Sequence, residues 1–271
     1  MCATCGCAGE PRGHHDPHHH HDHGQGHHHH PTAISHDHRG DEPARARTLR
    51  LERDILERNA AFARENRAWL AARDVCTVNL MSAPGSGKTR LLEATLARLG
   101  NRPELAVLEG DQETDRDAAR IRAAGGRAVQ INTGTGCHLD AHDVGHALEH
   151  LDPARGSLVA IENVGNLVCP ALFDLGERAK VVVLSVTEGE DKPLKYPHAF
   201  RAAQALVLSK LDLARHVGFD LDACIANARA ANSRLRILPL SAVTGEGMDA
   251  WCNWLRAGLT GTKGFDAAVG G

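Results

Sequence analysis

Apolar residues recur along this chain in two rhythms. From Thr48 to about Ala72 the spacing is helical. Leu49, Leu56, Ala63 and Leu70 form one row, and Ile55, Phe62 and Trp69 form a second beside it. This broad apolar stripe predicts a helix over 48–72 docked on its own domain. After residue 75, short runs rich in Val, Ile and Leu take over: "VCTVNLMS", "LAVLEG", "RAVQIN", "SLVAIEN", "KVVVLSV", "QALVLSK" and "LRILPLS". Each reads as a short buried strand. Helical stretches stand between most of them, at 88–99, 115–124, 141–150, 220–231 and 246–257. Such alternation predicts an α/β fold, a mostly parallel, doubly wound sheet with helices on both faces. Ligands of such sheets bind at the carboxyl ends of strands, so chemistry is expected in the segments that follow them.

Before residue 48 both rhythms are missing. Residues 1–47 carry Cys2, Cys5, Cys7 and thirteen of the nineteen histidines, with little Leu, Val or Phe. Such a segment buries too little apolar surface to offset its ordering entropy, and a disordered metal-binding tail is expected. The His runs are irregular and broken by Asp and Gly, unlike a purification tag. The folded domain is expected over 48–260 and a flexible C-terminal tail over 261–271. The longest aliphatic run, "VVVLSV", is far short of the roughly 20 residues that span a bilayer, so no membrane partner is expected. No charged-then-apolar leader opens the chain, and eight cysteines in such a chain read as thiols, so a cytoplasmic location is expected. A net charge of −3 over 271 residues gives no sign of a nucleic-acid partner.

"NLMSAPGSGKTRLLEATLARL" reads as strand, Gly-rich loop and helix. Backbone N–H groups of Gly85, Ser86 and Gly87 can cradle phosphate oxygens, aided by the positive end of the following helix. Lys88 can reach the β- and γ-phosphates and the Thr89 hydroxyl can bind Mg²⁺. Ser82 stands where the phosphate-loop pattern has its first glycine. Two acids at strand ends, Asp111 in "LEGDQET" and Glu162 in "AIENVGN", can complete the Mg²⁺ shell; with Lys88 they form the expected catalytic set. Asp111 can also cap the helix after it. Gly165 can offer its N–H to the γ-phosphate, making 162–166 a sensor of the third phosphate.

"LSKLD" (208–212) and "LSAVTGEG" (240–247) follow two later strands. The Asp212 carboxylate can accept both N1–H and the 2-amino group of guanine, a pair adenine does not offer. Lys210 can lie over the base, and the Ala242 N–H, next to Ser241, can meet O6. GTP and GDP are therefore favoured. Ser209 replaces the Asn usual in GTPases, and its shorter side chain predicts a weaker or water-mediated link to the loop or base. No glutamine or arginine finger is evident, which predicts slow intrinsic hydrolysis. Lys192 in "EGEDKPLKYP" is expected to cap a loop.

"NTGTGCHLDAHDVGHALEH" places Cys137 and His138 at a strand-to-helix junction, and Cys169 sits in "NLVCP". Thiolate plus imidazole suits Zn²⁺ and Ni²⁺. Two adjacent residues cannot close a four-ligand shell, so Cys169 and a second copy of the chain are the candidates to supply the remainder. Cys76, Cys224 and Cys252 read as inert small hydrophobes. His142, His146 and His150 read as a solvated helix face, although histidines at this spacing can chelate. Cys169 lies three residues after the 162–166 sensor, so a γ-phosphate that reorders the sensor could move a metal ligand.

The stretches "MCATCGC", "APGSGKT", "EGDQETDRDAARI", "NTGTGCHLDAH", "IENVGNLVCPA", "VTEGEDKPLKYP" and "SKLD" together closely resemble the HypB family, GTPases that insert nickel during hydrogenase maturation. The resemblance covers nearly the whole chain. It implies a P-loop GTPase that forms a GTP-dependent homodimer, with metal and nucleotide sites near the subunit interface. It implies a nickel site on Cys2, Cys5 and Cys7 and a second metal site on Cys137, His138 and Cys169. The implied partners are a small nickel-delivering (HypA-like) protein and the hydrogenase large-subunit precursor. Three thiolates in C-x-x-C-x-C are one ligand short of a closed shell, which the nearby α-amino group can complete; the choice between Ni²⁺ and Zn²⁺ stays open. The thirteen histidines then act as a weaker multivalent store. Three other readings compete. One is a nickel buffer with a vestigial nucleotide domain. A urease nickel GTPase typically carries Cys-Pro-His, where this chain has "CPA" and "GCH". A P-loop kinase has no use for "SKLD" or "SAVTGEG".

Overall fold

Every apolar run after residue 75 is a strand in the computed structural model. The model describes residues 41–100, 102–111, 115–134, 136–260 and 265. Cys2, Cys5, Cys7 and the histidine runs lie outside the described residues. In chain order the elements are α1 (Asp41–Ala71), β1 (Cys76–Ser82), α2 (Lys88–Leu99), β2 (Leu105–Asp111), α3 (Arg116–Ala123), β3 (Arg127–Asn132), α4 (Ala141–Leu151), β4 (Leu158–Glu162), α5 (Cys169–Leu172) and β5 (Ala179–Ser185). They continue with α6 (Lys192–Lys195), α7 (Pro197–Ala202), β6 (Ala205–Ser209), α8 (Ala214–Val217), α9 (Leu221–Ala231), β7 (Arg236–Pro239) and α10 (Met248–Leu259). Residues 1–54 and 55–271 form two units; the packing below is that of the second.

The strands form one sheet in the order β3-β2-β4-β1-β5-β6-β7, and every pair is parallel. Strand–helix–strand connection forces this, because parallel neighbours need a crossover. The chain runs to one side of β1 for β2–β4 and to the other for β5–β7, so β1 lies at the switch point where ligand crevices open. Strand alternation sends side chains to two faces. Val78, Leu80, Val107, Val181, Val183 and Val207 pack with Leu91, Leu92, Trp251 and Leu255 of α2 and α10. On the other face Leu108, Val159 and Ile161 meet Val144, Leu148 and Leu151 of α4, and Val182, Leu184 and Leu206 meet Phe200 and Cys224. Cys76, Cys224 and Cys252 are fully buried, as expected of inert thiols. Burial pushes the first two thiols up to about 11.

The first helix departs from expectation at both its start and its docking face. It begins at Asp41, not at Thr48; Pro43 falls in its first turn, where a missing N–H leaves nothing unpaired. Leu49, Ile55 and Leu56 are exposed. The row that docks is instead Asn59, Ala63, Asn66 and Leu70, all buried, at the spacing of one helix face. Its two asparagines bond backbone across the interface. Asn66 Nδ2 donates to the carbonyls of Ala141 (2.6 Å) and Leu175 (3.0 Å). Asn59 donates to the Asp174 carbonyl at 2.7 Å and accepts from the Ala141 N–H at 2.8 Å.

Candidate functional site

The loop after β1 turns through Gly85 (φ 74°) and Gly87 (φ 95°), backbone angles that a Cβ would strain. α2 then starts at Lys88, so its free N–H groups open onto the loop. The Lys88 ammonium is nearly buried and donates to Ser82 Oγ at 2.8 Å. The serine that replaces the pattern's first glycine thus holds this lysine beside the loop. Thr89 Oγ1 donates to Glu162 Oε1 at 2.9 Å.

Glu162 has a partner that the sequence reading missed. Glu109 stands beside it in register on β2, and both are almost fully buried. Acidic oxygens of Glu109, Asp117 and Glu162 lie within 4.8 Å of one another. Glu109 Oε2, Glu162 Oε2 and Ser86 Oγ are buried without a hydrogen-bond partner among the described residues. Burial raises both glutamate carboxyls. Glu162 raises Glu109 further, while Lys88 pulls Glu162 back down. Unsatisfied buried carboxylate oxygens next to a threonine hydroxyl fit a divalent cation. Asp111 is not in this trio. It ends β2 half-buried, and its carbonyl accepts the Thr133 N–H at 3.0 Å. The only strand-interior charge in "LAVLEG" is Glu109, and its odd-numbered register with Leu105 and Val107 was the signal that could have found it.

In the segment after β6, Lys210 adopts φ 58° and donates to the Gly85 carbonyl at 2.7 Å. Asp212 accepts from Ser241 Oγ. That same oxygen accepts the N–H groups of Val243 (3.2 Å) and Thr244 (3.1 Å), which shapes the turn that carries Ala242. Ser209 corrects an expectation: its hydroxyl donates directly to the Ser86 carbonyl at 2.6 Å. The link to the loop is direct, because the loop backbone passes beside this short side chain.

Cys137, His138 and Cys169 come together. Cys137 Sγ lies 3.2 Å from Cys169 Sγ and 3.6 Å from His138 Nδ1. The His138 ring packs on Phe173, with centroids 3.8 Å apart. Burial holds the imidazole below its usual range, so it stays neutral and able to ligate near neutral pH. Two thiols and one imidazole fit a borderline transition ion, with one position left for a fourth donor.

One stretch, 162–169, touches all these parts. Glu162 bonds Thr89. Asn163 accepts from the Leu139 N–H at 3.3 Å. Gly165 lies so close to Pro84 that a Cβ would sit 3.0 Å from its ring. Asn166 pairs with Ser82 in an isolated bridge and donates to the Cys137 carbonyl at 3.5 Å. Cys169 ends the stretch beside Cys137. Lys192, by contrast, pairs locally with Glu188 at 3.7 Å and the Tyr196 ring at 5.3 Å, in keeping with a loop role.

A glycine-rich phosphate loop at the switch point of a parallel sheet, followed by the Ser209–Asp212 and Ser241–Ala242 elements, defines a P-loop nucleotide-binding protein of the GTPase type. Residues 76–239 match the family model described as the CobW/HypB/UreG nucleotide-binding domain, and the chain belongs to the HypB hydrogenase maturation factors within that family. It is 58% identical to the Azotobacter vinelandii factor over 226 residues, which is 80% of this chain and 75% of that protein. It is 56% identical to the Escherichia coli K12 factor over 209 residues, 77% and 72% of the two chains. The crystal structure of HypB from Archaeoglobus fulgidus superposes with a TM-score of 0.71 at 42% identity, over 75% of this chain and 100% of that one. HypB from Helicobacter pylori, solved in complex with nickel, gives 0.71 at 33% identity, over 79% and 99%.

Proposed function

We propose that this chain is a GTP-hydrolysing nickel metallochaperone that stores Ni²⁺ and inserts it into the hydrogenase large-subunit precursor. The observation that carries the reading is the 162–169 stretch, which joins the phosphate loop, the buried acids and the Cys137–His138–Cys169 cluster without a break. Nickel in the complex of the Helicobacter pylori relative supports the identity of the cargo.

In this reading Gly85–Thr89 bind the phosphates, with Lys88 leaving Ser82 for the β- and γ-oxygens. Asp212 and the Ala242 N–H read guanine, and Lys210 covers the base. Thr89 and Glu162 would hold Mg²⁺, with Asp111 at the end of β2 as the third ligand the sequence suggests and Glu109 and Asp117 as the acids gathered beside Glu162; the ion would supply charge neutralisation on the phosphates. Gly165 offers its N–H to the third phosphate. Moving that residue disturbs its contact with Pro84 and the adjacent Asn166 bond to Cys137, so Cys137 and Cys169 shift relative to each other and their grip on nickel changes. Intrinsic hydrolysis is slow. Cys2, Cys5 and Cys7 form a tight nickel site, Zn²⁺ is an alternative ion at either site, and the protein works in the cytoplasm. GTP drives homodimerisation, and a small HypA-like protein delivers the metal.

The test measures Ni²⁺ and Zn²⁺ affinity of the chain, with and without residues 1–47, in the nucleotide-free, GDP and non-hydrolysable GTP-analogue states. A difference of fivefold or more between the GDP and GTP-analogue states is expected at the Cys137–His138–Cys169 site. Equal affinities would reduce the chain to a nickel buffer carrying an unconnected nucleotide domain.

A further inference from the structure

A chain of buried polar side chains ends at the thiol cluster and starts from Lys180 of β5, a residue outside the phosphate and guanine elements. Lys180 stands in register beside Asn79 of β1, and its side chain is 14% exposed. Its ammonium donates to the carbonyls of Phe173 (2.8 Å), Ala171 (3.1 Å) and Pro170 (3.4 Å). α5 is a single turn, Cys169–Leu172, so its carbonyls fall where intrahelical donors run out. A cation placed there caps the turn. The Glu177 carboxylate, buried beside Lys180, is farther from the ammonium, at 3.6 Å. From Glu177 the chain continues. Oε2 accepts the Leu175 N–H at 2.6 Å, and Oε1 accepts from Asn79 Nδ2 at 3.3 Å. Asn79 accepts in turn from Asn163 Nδ2 at 3.2 Å, and Asn163 accepts the N–H of Leu139, the residue after His138.

We propose that Lys180 is a positioning residue for the thiol cluster: by capping α5 it fixes Cys169 and Phe173, and so holds Cys137, His138 and Cys169 in one ligating arrangement. The inference rests on the reading of those three residues as an ion site. Cys169 opens α5, and its Sγ meets Cys137 Sγ at 3.2 Å. Phe173 follows the turn, and its ring packs on the His138 imidazole with centroids 3.8 Å apart. One ammonium therefore steadies both the turn that carries a sulfur and the ring that backs the imidazole. Asn163 ties the other ligand-bearing segment, at Leu139, to the same network. Groups that orient metal ligands from behind change metal affinity by about 10–100-fold when removed.

The rival role for Lys180 is neutralisation of Glu177 alone. The distances favour the cap, since all three carbonyls lie nearer to the ammonium than the carboxylate does.

The experiment titrates Co²⁺, whose thiolate charge-transfer absorption reports sulfur ligands and not imidazole-only sites. The full-length parent carries Cys2→Ser, Cys5→Ser and Cys7→Ser, which removes the N-terminal thiols; Cys76, Cys224 and Cys252 are fully buried. Lys180→Met should weaken Co²⁺ binding followed at that band by about tenfold or more. It should also lower the band at saturation to about half, as one of two sulfurs drops out. Lys180→Arg, which can donate to the same carbonyls, should restore both. A buried carboxylate left without its cation is strongly destabilising, so Lys180→Met is also made together with Glu177→Gln, which removes both charges. The double variant should show the same loss. If it binds Co²⁺ like the parent, Lys180 only neutralises Glu177 and the proposal is overturned. Equal losses of GDP and Co²⁺ binding in the double variant, the mark of a fold that Lys180 merely supports, also overturn it. An undiminished band in Lys180→Met overturns it with the ion site left intact. No thiolate band in the parent overturns the ion site itself, and the proposal with it.

Discussion

Replacing Glu109 with glutamine should stabilise the nucleotide-free, metal-free protein, and by an amount that grows with pH. Glu109 and Glu162 are direct neighbours on parallel strands, 2% and 3% exposed. Like charges in such positions repel. With oxygens within 4.8 Å, two full charges would cost about 3.5 kcal/mol at an effective dielectric of about 20. Burial first, then Glu162, pushes the Glu109 carboxyl up from 4.5 to about 11. A carboxyl raised in the folded state binds a proton that the unfolded chain has released. Its contribution to stability is therefore intact below about pH 4.5 and is lost as pH rises toward the folded value, at about 1.4 kcal/mol per pH unit. By pH 7.5 that cost reaches about 4 kcal/mol, and it stands in place of the repulsion, because a protonated Glu109 carries no charge.

Glutamine keeps the shape and never ionises. The Glu109→Gln variant should exceed the parent by about 3–4 kcal/mol at pH 7.5 and by close to nothing at pH 4.5. For a domain of this size that is a rise of about 6–15 °C in melting temperature at the higher pH. The assay is urea unfolding of both full-length proteins in chelator at the two pH values. The reasoning fails if the two proteins are equally stable at pH 7.5, or if glutamine gives the same gain at both.

Three further substitutions probe separate contacts. Asn66→Ala removes two bonds to buried carbonyls and should cost about 2–4 kcal/mol, read by the same unfolding assay; a loss under 1 kcal/mol would mean that α1 does not depend on them. Ser209→Ala removes the bond to the Ser86 carbonyl and should weaken GDP binding by about 5–30-fold, from about 1–2 kcal/mol, in a titration with a fluorescent analogue; unchanged affinity would show that this bond does not support the loop. Lys88→Ala should lower GTP affinity by 100-fold or more and stop hydrogenase maturation in cells; maturation that survives this change but not deletion of 1–47 would favour the buffer reading.

The sheet and most of its helices were legible because period-two and period-3.6 patterns need no tertiary information. The phosphate loop and the turns at "SKLD" and "SAVTGEG" were legible for a related reason, since each is a contiguous run of backbone. What stayed hidden were contacts across the fold. Asn59 and Asn66 look like solvent positions in a stripe of Leu and Ala, and only the arrival of Ala141 and Leu175 makes them buried donors. Glu109 reads as an ordinary acid until β4 is known to lie beside β2. The weakness expected of Ser209 came from comparing side-chain lengths, whereas the deciding quantity was where the Ser86 carbonyl lies. Cys137 and Cys169 follow β3 and β4, which are not neighbours, because β2 runs between them. Their meeting depends on Asn163 and Asn166 tying the two loops together, and no spacing rule encodes that.

Those ties also set the scale of any exchange between nucleotide and metal. A tenfold change in metal affinity requires about 1.4 kcal/mol of difference between nucleotide states. A single hydrogen bond contributes about 1 kcal/mol, so breaking the one from Asn166 to the Cys137 carbonyl would already change affinity about fivefold. That bond is long, at 3.5 Å, as befits one that is easily lost. Gly165 sits one residue before it, against Pro84 of the phosphate loop, where even a small displacement must be passed on because packed backbone has no room to absorb it. A timed release of nickel therefore needs no domain rotation or refolding. In the proposed function it needs only a small shift of Gly165, carried four residues to the sulfur of Cys169. Linkage makes the effect reciprocal, so a bound ion must change GTP affinity relative to GDP by the same factor by which GTP changes the hold on the ion.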